Sequence, residues 1–347
     1  KELNLTSGKL RDLLLKDENN EAIYCRTLLV YTDNELWIGT ESGVYIYNLR
    51  TEKYTHLRSS EYDPYSLSDN AIYSFCKDRE DGIWIGSYFG GVNYYPRSYT
   101  YFEKYYPKGI ENSLHGKRVR EFCRDSQGIL WIGTEDGGLN RFNLKTKDFS
   151  FFAPSAGFTN IHGLCLVDDK LWVGTFSKGL KVIDTRSGVV LKTYQKNDSP
   201  RSLIDNSIFA ICKTATGDIY LGTMFGLVRY NKQSDDFDRI PELNGKFIYD
   251  IKEDSAGNIW LATYANGVYC YNVNDRKWKN YVHDDKDNTS LPYNKVSSVF
   301  EDSHRQIWLT TQGGGFCIFH PESETFTSYN STNGLPSDVV YQIVEDK

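Results

Sequence analysis

Seven short stretches of the chain combine aromatic rings with amides and carboxylates in one recurring place: Glu41-Ser42, Tyr88-Phe89, Glu135-Asp136, Phe176-Ser177-Lys178, Met224-Phe225, Tyr264-Ala265-Asn266 and Gln312-Gly313. Rings pack on the C–H faces of sugars while amides and carboxylates hydrogen-bond hydroxyls, so the mixture suits an oligosaccharide. The candidate contacts are Tyr88, Phe89, Asp136, Phe176, Phe225, Tyr264, Asn266 and Gln312. The competing reading is that they are ordinary exposed loop residues. A second candidate surface is Lys117-Arg118-Val119-Arg120, where Arg118 and Arg120, with Lys108 or His115, can meet a carboxylate or sulfate on an acidic glycan. Solvated linker charge is the plainer account of that run.

Other chemistries find less support. Glycoside hydrolysis needs two carboxyls about 5 to 10 Å apart across a cleft. Glu41, Glu135, Asp136 and Asp338 are available, but nothing singles out one pair, so no catalytic residue is assigned. Asp284-Asp285-x-Asp287 lacks the later bidentate Glu of a calcium loop. No Cys/His spacing fits zinc, so neither a metal nor a cofactor is expected.

The elements that must position these residues repeat. The phrase Leu36-Trp37-Ile38-Gly39-Thr40 recurs around Trp84, Trp131, Trp172, Tyr220, Trp260 and Trp308, at spacings of 40 to 48 residues. That is the period of a four-stranded blade. Each unit reads as a first strand such as Ile72 to Lys77, an Asp-x-x-Gly turn, the Trp strand, a Gly turn, a third strand and an aromatic fourth strand such as Tyr101 to Tyr106. No long 3.6-residue period is present, so helices should be nearly absent. Seven units predict an all-β fold, a seven-bladed β-propeller of four-stranded antiparallel blades. The Trp positions should be buried between blades.

Residues 1–22 read as an N-terminal edge strand or linker, 23–330 as the seven-bladed propeller, and 331–347 as the start of an eighth repeat, since Gly334 to Asp346 copies the opening of a unit. The chain begins at Lys1 without a leader, as expected of a fragment excised from a longer repeat array. A formal charge of −6 gives no basic footprint for nucleic acid. No apolar run approaches a membrane span. Cys76, Cys123, Cys165 and Cys212 fall at matching places on first strands, which predicts buried free thiols and no disulfide.

Ser66-Leu67-x-x-Asn70, Ser113-Leu114-x-x-Lys117, Ser202-Leu203-x-x-Asn206 and Ser290-Leu291-x-x-Asn294 each precede an aliphatic strand, a turn, the Trp strand and a glycine turn. In that order these features resemble the two-component regulator propeller repeat, over about Ile23 to Lys347. Departures are mild: Tyr220 for Trp, Ala262 and Thr310 for Gly, and Thr214 for the turn Asp. The resemblance implies the periplasmic sensor part of an inner-membrane hybrid two-component histidine kinase. Such a protein carries a second propeller, a transmembrane kinase region and, in full length, a homodimeric arrangement. It also implies recognition of a glycan fragment and control of polysaccharide-utilisation genes. No nucleotide-binding glycine box or phospho-acceptor His context is found here, so the part present should bind and transmit, not catalyse. A propeller glycoside hydrolase or lyase, and a protein-binding scaffold, are the alternatives.

Overall fold

A computed structural model describes residues 2–3, 5–11, 23–96, 103–152 and 157–346. It is all-β apart from two 3-10 turns among the described residues, Pro241–Leu243 and Ser331–Asn333. The fold class is the seven-bladed β-propeller of antiparallel blades. Blades 1 and 2 belong to one compact unit, Lys1–Ile110, and blades 3 to 7 to a second, Glu111–Lys347.

In the first unit, blade 1 has the strands Cys25–Thr32, Glu35–Thr40, Gly43–Asn48 and Tyr54–Leu57, paired in chain order. Blade 2 has three described strands, Ile72–Lys77, Ile83–Ser87 and Val92–Tyr95. Tyr101 and Phe102 of its expected fourth strand lie outside the described residues, and Glu103 to Tyr106 are not strand. Glu2–Leu3 pairs with Leu10–Arg11 as a small separate hairpin. In the second unit the first strands are Val119–Arg124, Ile161–Val167, Ile208–Lys213, Ile248–Glu253 and Val296–Glu301, each opening a four-stranded meander.

Hydrogen bonds explain the repeated phrase. The Thr closing each Trp strand, or Ser87 in blade 2, donates its hydroxyl to the carbonyl of the turn glycine, as Thr263 does to Gly267 (2.6 Å) and Thr311 to Gly315 (2.9 Å). Gly267 sits at φ 72°, and a Cβ there would stand 2.1 Å from the Tyr281 carbonyl oxygen, so only glycine fits. The turn Asp does two jobs. Asp254 accepts the backbone N–H groups of Ala256 and Asn258, and its second oxygen takes the Trp260 indole N–H at 2.8 Å. Asp78, Asp125 and Asp302 hold Trp84, Trp131 and Trp308 in the same way. Where Thr214 replaces the Asp, no carboxylate remains for an indole, and Tyr220 stands in the Trp position.

The core lies between blades. Trp37 packs edge-on against Tyr95 of blade 2, Trp172 against Tyr230 of blade 5 and Trp260 against Phe319 of blade 7, with ring centroids 5.0, 4.9 and 5.1 Å apart. Each Trp therefore needs the third strand of the following blade. Trp37, Trp131, Trp172 and Trp260 are buried. Trp84 corrects the expectation that all are: it is 46% exposed. Blade 2 is the last of its unit, so no later blade in that unit covers it. Trp308, in the last blade of the second unit, and Tyr220 are half-buried. The Ser-Leu linkers pin the blades too. Leu203 and Leu291 are fully buried, Ser290 Oγ donates to Asp287 O, and Asn294 Oδ1 accepts from His283 N.

All seven cysteines are free thiols. Cys270 and Cys317 are buried and Cys123, Cys165 and Cys212 half-buried, whereas Cys76 is exposed, contrary to the filler reading.

Candidate functional site: the hub of blades 3 to 7

Every first strand carries the same irregularity. Its register against the Trp strand shifts between the first and third residues, at Cys25/Thr27, Ile72/Ser74, Val119/Glu121, Ile161/Gly163, Ile208/Ala210, Ile248/Asp250 and Val296/Ser298. Such a bulge leaves one residue unpaired and re-aims its side chain. The bulged residues are Arg26 and Tyr73 in the first unit, and Arg120, His162, Phe209, Tyr249 and Ser297 in the second. First strands of successive blades pack side by side within the second unit, so its five bulged side chains gather at one hub.

The third residue of each strand pairs with the position that is glycine in the Trp phrase, as Glu121 does with Gly133 and Asp250 with Ala262. That glycine makes room for the next blade. A Cβ at Gly133 would meet Ile161 at 2.6 Å, and one at Gly222 would meet Ile248 at 2.7 Å. Ala262 is tolerated where the next first strand opens with the smaller Val296.

Arg120 anchors the hub. Its guanidinium lies 5.4 Å from the Tyr249 ring centroid and 5.8 Å from that of Phe209, and Nη1 reaches Glu135 Oε1 at 3.3 Å. Its Nε has no hydrogen-bond partner among the described residues. His162 stacks edge-on with Phe209 and donates Nε2–H to Asn160 Oδ1 at 2.6 Å, which leaves Nδ1 as an unpartnered acceptor. Burial, with Arg120 adding to it, lowers the His162 pKa to about 3, so the ring stays neutral.

Beside these residues lies a cavity of about 330 Å³. Its wall includes Glu121, Tyr249, Asp250, Ser297, Tyr341 and Gln342. Desolvation pushes Glu121 up to about 8, with the nearby Asp250 adding to the effect and Arg120 opposing it. Asp250 is likewise raised by desolvation, although Val299 N–H and Ile251 N–H donate to it. Tyr341 and Gln342 come from the opening of the eighth repeat, which follows blade 7 as a next blade would. Gly315 N donates to Asp338 O just as Gly267 N donates to Asn294 O, and Glu345 binds Ser303 N as Glu301 binds Ser255 N.

The sequence candidates fall into two groups. In the second unit an arc of rings runs from Phe176 to Phe209 (6.0 Å), Phe247 (4.5 Å) and Tyr264 (5.3 Å, stacked), with Lys295 Nζ 4.1 Å from the Tyr264 centroid. Phe176 and Tyr264 are the exposed members. The turns carrying them are tied to the bulged strands, because Phe176 N donates to Asn160 O and Tyr264 N to Phe247 O. The arc thus brings Phe176, Tyr264 and Arg120 together. Phe225 is exposed and Asn266 half-buried on corresponding turns, and Gln312 bridges to Val339. Asp136 caps its own linker instead, accepting from Lys117 N and Arg118 N, which holds its carboxyl below the usual range. Arg118 is exposed, 4.0 Å from Glu135. Tyr88 and Phe89, in the first unit, touch each other and are both exposed, and Tyr88 stacks on the bulged Tyr73.

The nominated acids are committed. Glu41 pairs with Arg26, Glu135 with Arg120, and Asp338 accepts from Ser331 N and Oγ. Glu121 and Asp250 share a cavity, yet both are raised, whereas glycoside hydrolysis needs one carboxyl protonated and the other ionised. Sequence reasoning passed over Glu121, His162, Phe209, Tyr249, Asp250 and Ser297.

Comparisons with known proteins follow this geometry. The two component regulator propeller profile matches residues 66–89, 113–136 and 242–265, each running from a blade linker through the bulged strand to the turn after the Trp strand. Histidine kinase P4 of Formosa agariphila is 29% identical over 180 residues, 49% of this chain and 13% of that protein. The extracellular domain of a protein described as a one component system from B. thetaiotaomicron is 17% identical with a TM-score of 0.50, covering 95% of this chain and 51% of that one. The corresponding domain of a hybrid two component system from the same organism is 23% identical with a TM-score of 0.49, covering 96% and 49%. The chain therefore spans about half of these extracellular domains and a small part of the kinase. No helix among the described residues is long and apolar enough to cross a membrane. The profile thus matches three of the seven repeats, and the same frame of linker, bulge, Trp strand and glycine turn runs through the other blades.

Proposed function

We propose that the chain is the ligand-sensing, periplasmic part of a hybrid two-component signalling protein, and that it recognises a glycan fragment and passes that event to a kinase region elsewhere in the full-length protein. The observation that carries the reading is the ring arc from Phe176 to Tyr264, with Arg120 near Phe209 and Lys295 near Tyr264. Rings, cations and the nearby amides of Asn266 and Gln312 supply the stacking and hydrogen bonds that pyranose rings take. Its partners in the full chain are a second propeller, the transmembrane kinase region and a second copy of the protein, and its output is control of polysaccharide-utilisation genes. The net negative charge argues against nucleic acid.

A calorimetric screen against neutral and acidic oligosaccharides tests the reading. A binder should lose about 1 to 3 kcal/mol on Tyr264→Ala or Phe176→Ala, the scale of one stacked ring. Both variants should melt close to the parent because these rings are exposed. A binder whose affinity is unchanged in both variants moves the recognition surface off the arc.

A further inference from the structure

The hub cavity has features that glycan stacking on the arc does not use. Glu121 lines it, and no hydrogen bond among the described residues reaches its carboxyl. Asp250 lies on the same wall and is charge-coupled to Glu121. Ser297, buried at 4% exposure, also lines the cavity, and its hydroxyl has no partner among the described residues. Arg120 also lines the cavity and favours the charged form of Glu121, but its hydrogen bond goes to Glu135 and its guanidinium lies against the Tyr249 and Phe209 rings. The wall thus offers the Glu121 carboxyl, the remaining lone pairs of Asp250 and the Ser297 hydroxyl to a space large enough for a small organic group, and among the described residues no basic side chain is hydrogen-bonded to either acid. No group of three His, Cys, Asp or Glu residues arranged to hold a metal exists among the described residues.

We propose that this cavity binds an ammonium group, carried by an aliphatic amine or an amino sugar, with Glu121 and Asp250 accepting two of its N–H bonds and Ser297 Oγ the third. An ammonium has three directed donors and no acceptor, which matches an acceptor-rich wall. The proposal stands independently of the glycan reading, since it concerns the hub floor and not the ring arc.

It also fixes a pH signature. The groups coupled to Glu121 are Arg120 and Cys123 on its own strand and Asp250 on blade 6, with Lys252 acting on Asp250; Tyr249 and Tyr341 line the same cavity, and His162 is coupled to Arg120. His162 stays neutral throughout the working range, so the acids govern the response. With Glu121 near 8 in the empty cavity, ammonium binding must expel its proton. Affinity should rise about tenfold per pH unit up to about pH 8 and level off above it.

The experiment is calorimetric titration of the whole chain with putrescine, glucosamine, N-acetylglucosamine and glucose, in two buffers of different ionisation enthalpy. Putrescine stays cationic across the range, like a lysine amine. The expected result is binding of putrescine or glucosamine at one site with proton release, and at least tenfold weaker binding of the two neutral sugars. Binding of putrescine alone assigns the cavity to aliphatic amines, and binding of glucosamine alone assigns it to amino sugars. Glu121→Gln should cost tenfold or more, and Ser297→Ala a smaller loss. The pH profile of the parent protein tests the idea even where a variant folds poorly. Absence of binding by both amines, equal binding by glucose, or a flat pH profile overturns it.

Discussion

The hubs of the two units use one device and put it to different ends. In the first unit the bulged Arg26 lies 4.3 Å from the centroid of the bulged Tyr73 and donates through Nε and Nη2 to Glu41, the residue that follows the Trp-strand Thr. In the second, the bulged Arg120 lies over Tyr249 and Phe209 and donates to Glu135, in the same place on its blade. The difference is in the third strand residue. It is Thr27 or Ser74 in the first unit, but Glu121, Gly163, Ala210, Asp250 or Ser298 in the second. A similar clamp therefore accompanies uncharged third residues in one unit and two desolvated acids in the other. Position in the repeat sets where a side chain points, and the residue placed there sets its chemistry.

The largest test of that contrast is in the packing behind each hub. Trp131 is fully buried, so Trp131→Ala should cost about 4 kcal/mol in denaturant unfolding. Trp84→Ala removes the equivalent residue at 46% exposure and should cost about 1 kcal/mol. Equal losses would show that Trp84 is as deeply buried in solution as Trp131, and the contrast between the units would narrow to the hub residues alone.

Next in size is the acid floor. The folded-state value of Glu121, about 8, lies above its ordinary 4.5, so the folded protein keeps a proton that the unfolded chain releases. The stability linked to that proton is complete below about pH 4.5 and is lost as pH rises through 8. A gap of that size corresponds to about 5 kcal/mol, which the partial exposure of Glu121 to water brings down to roughly 3 kcal/mol. Urea midpoints of Glu121→Gln should lack this decline between pH 5 and about 8, and Thr27→Val, at the matching site in the first unit, should leave it intact. A decline of the same size in both variants would assign it to other groups.

Much of this was legible in the residues. The Trp phrase, the turn Asp and the glycine turn announced seven blades because each has one physical job: an indole needs a carboxylate, a Thr hydroxyl needs a turn carbonyl, and a left-handed turn needs glycine. The same economy hid the hub. Arg120, His162, Phe209, Tyr249 and Ser297 each follow the first aliphatic residue of a strand, where simple alternation gives no hint of a bulge. They differ from blade to blade as much as the turn residues Tyr88, Phe176 and Tyr264 do, so variation inside a repeated frame was present as a signal at both places. The acid pair could not be anticipated, since Glu121 and Asp250 are 129 positions apart and meet only because blade 3 and blade 6 face one cavity. Trp84 misled for a related reason: its type reported the repeat, while its burial depends on a later blade.

The smallest effect separates the two arginines themselves. Lysine preserves charge but loses the planar fork and the flat face that lies over a ring. Arg26 directs two N–H groups at one oxygen of a carboxylate that is itself 45% exposed, so water and the lysine ammonium can replace much of that pairing. Arg120 makes one contact with Glu135, at 29% exposure, and its guanidinium is set against two rings, one of them the buried Phe209. Desolvated cation–ring contacts are worth about 2 kcal/mol and exposed ones about 0.5 to 1 kcal/mol. Arg120→Lys should thus cost about 1.5 kcal/mol and Arg26→Lys about 0.5 kcal/mol in the same unfolding assay. If Arg26→Lys proves the costlier change, the carboxylate fork and not the ring stack is what holds the bulged arginine, and the two hubs are more alike than their floors suggest.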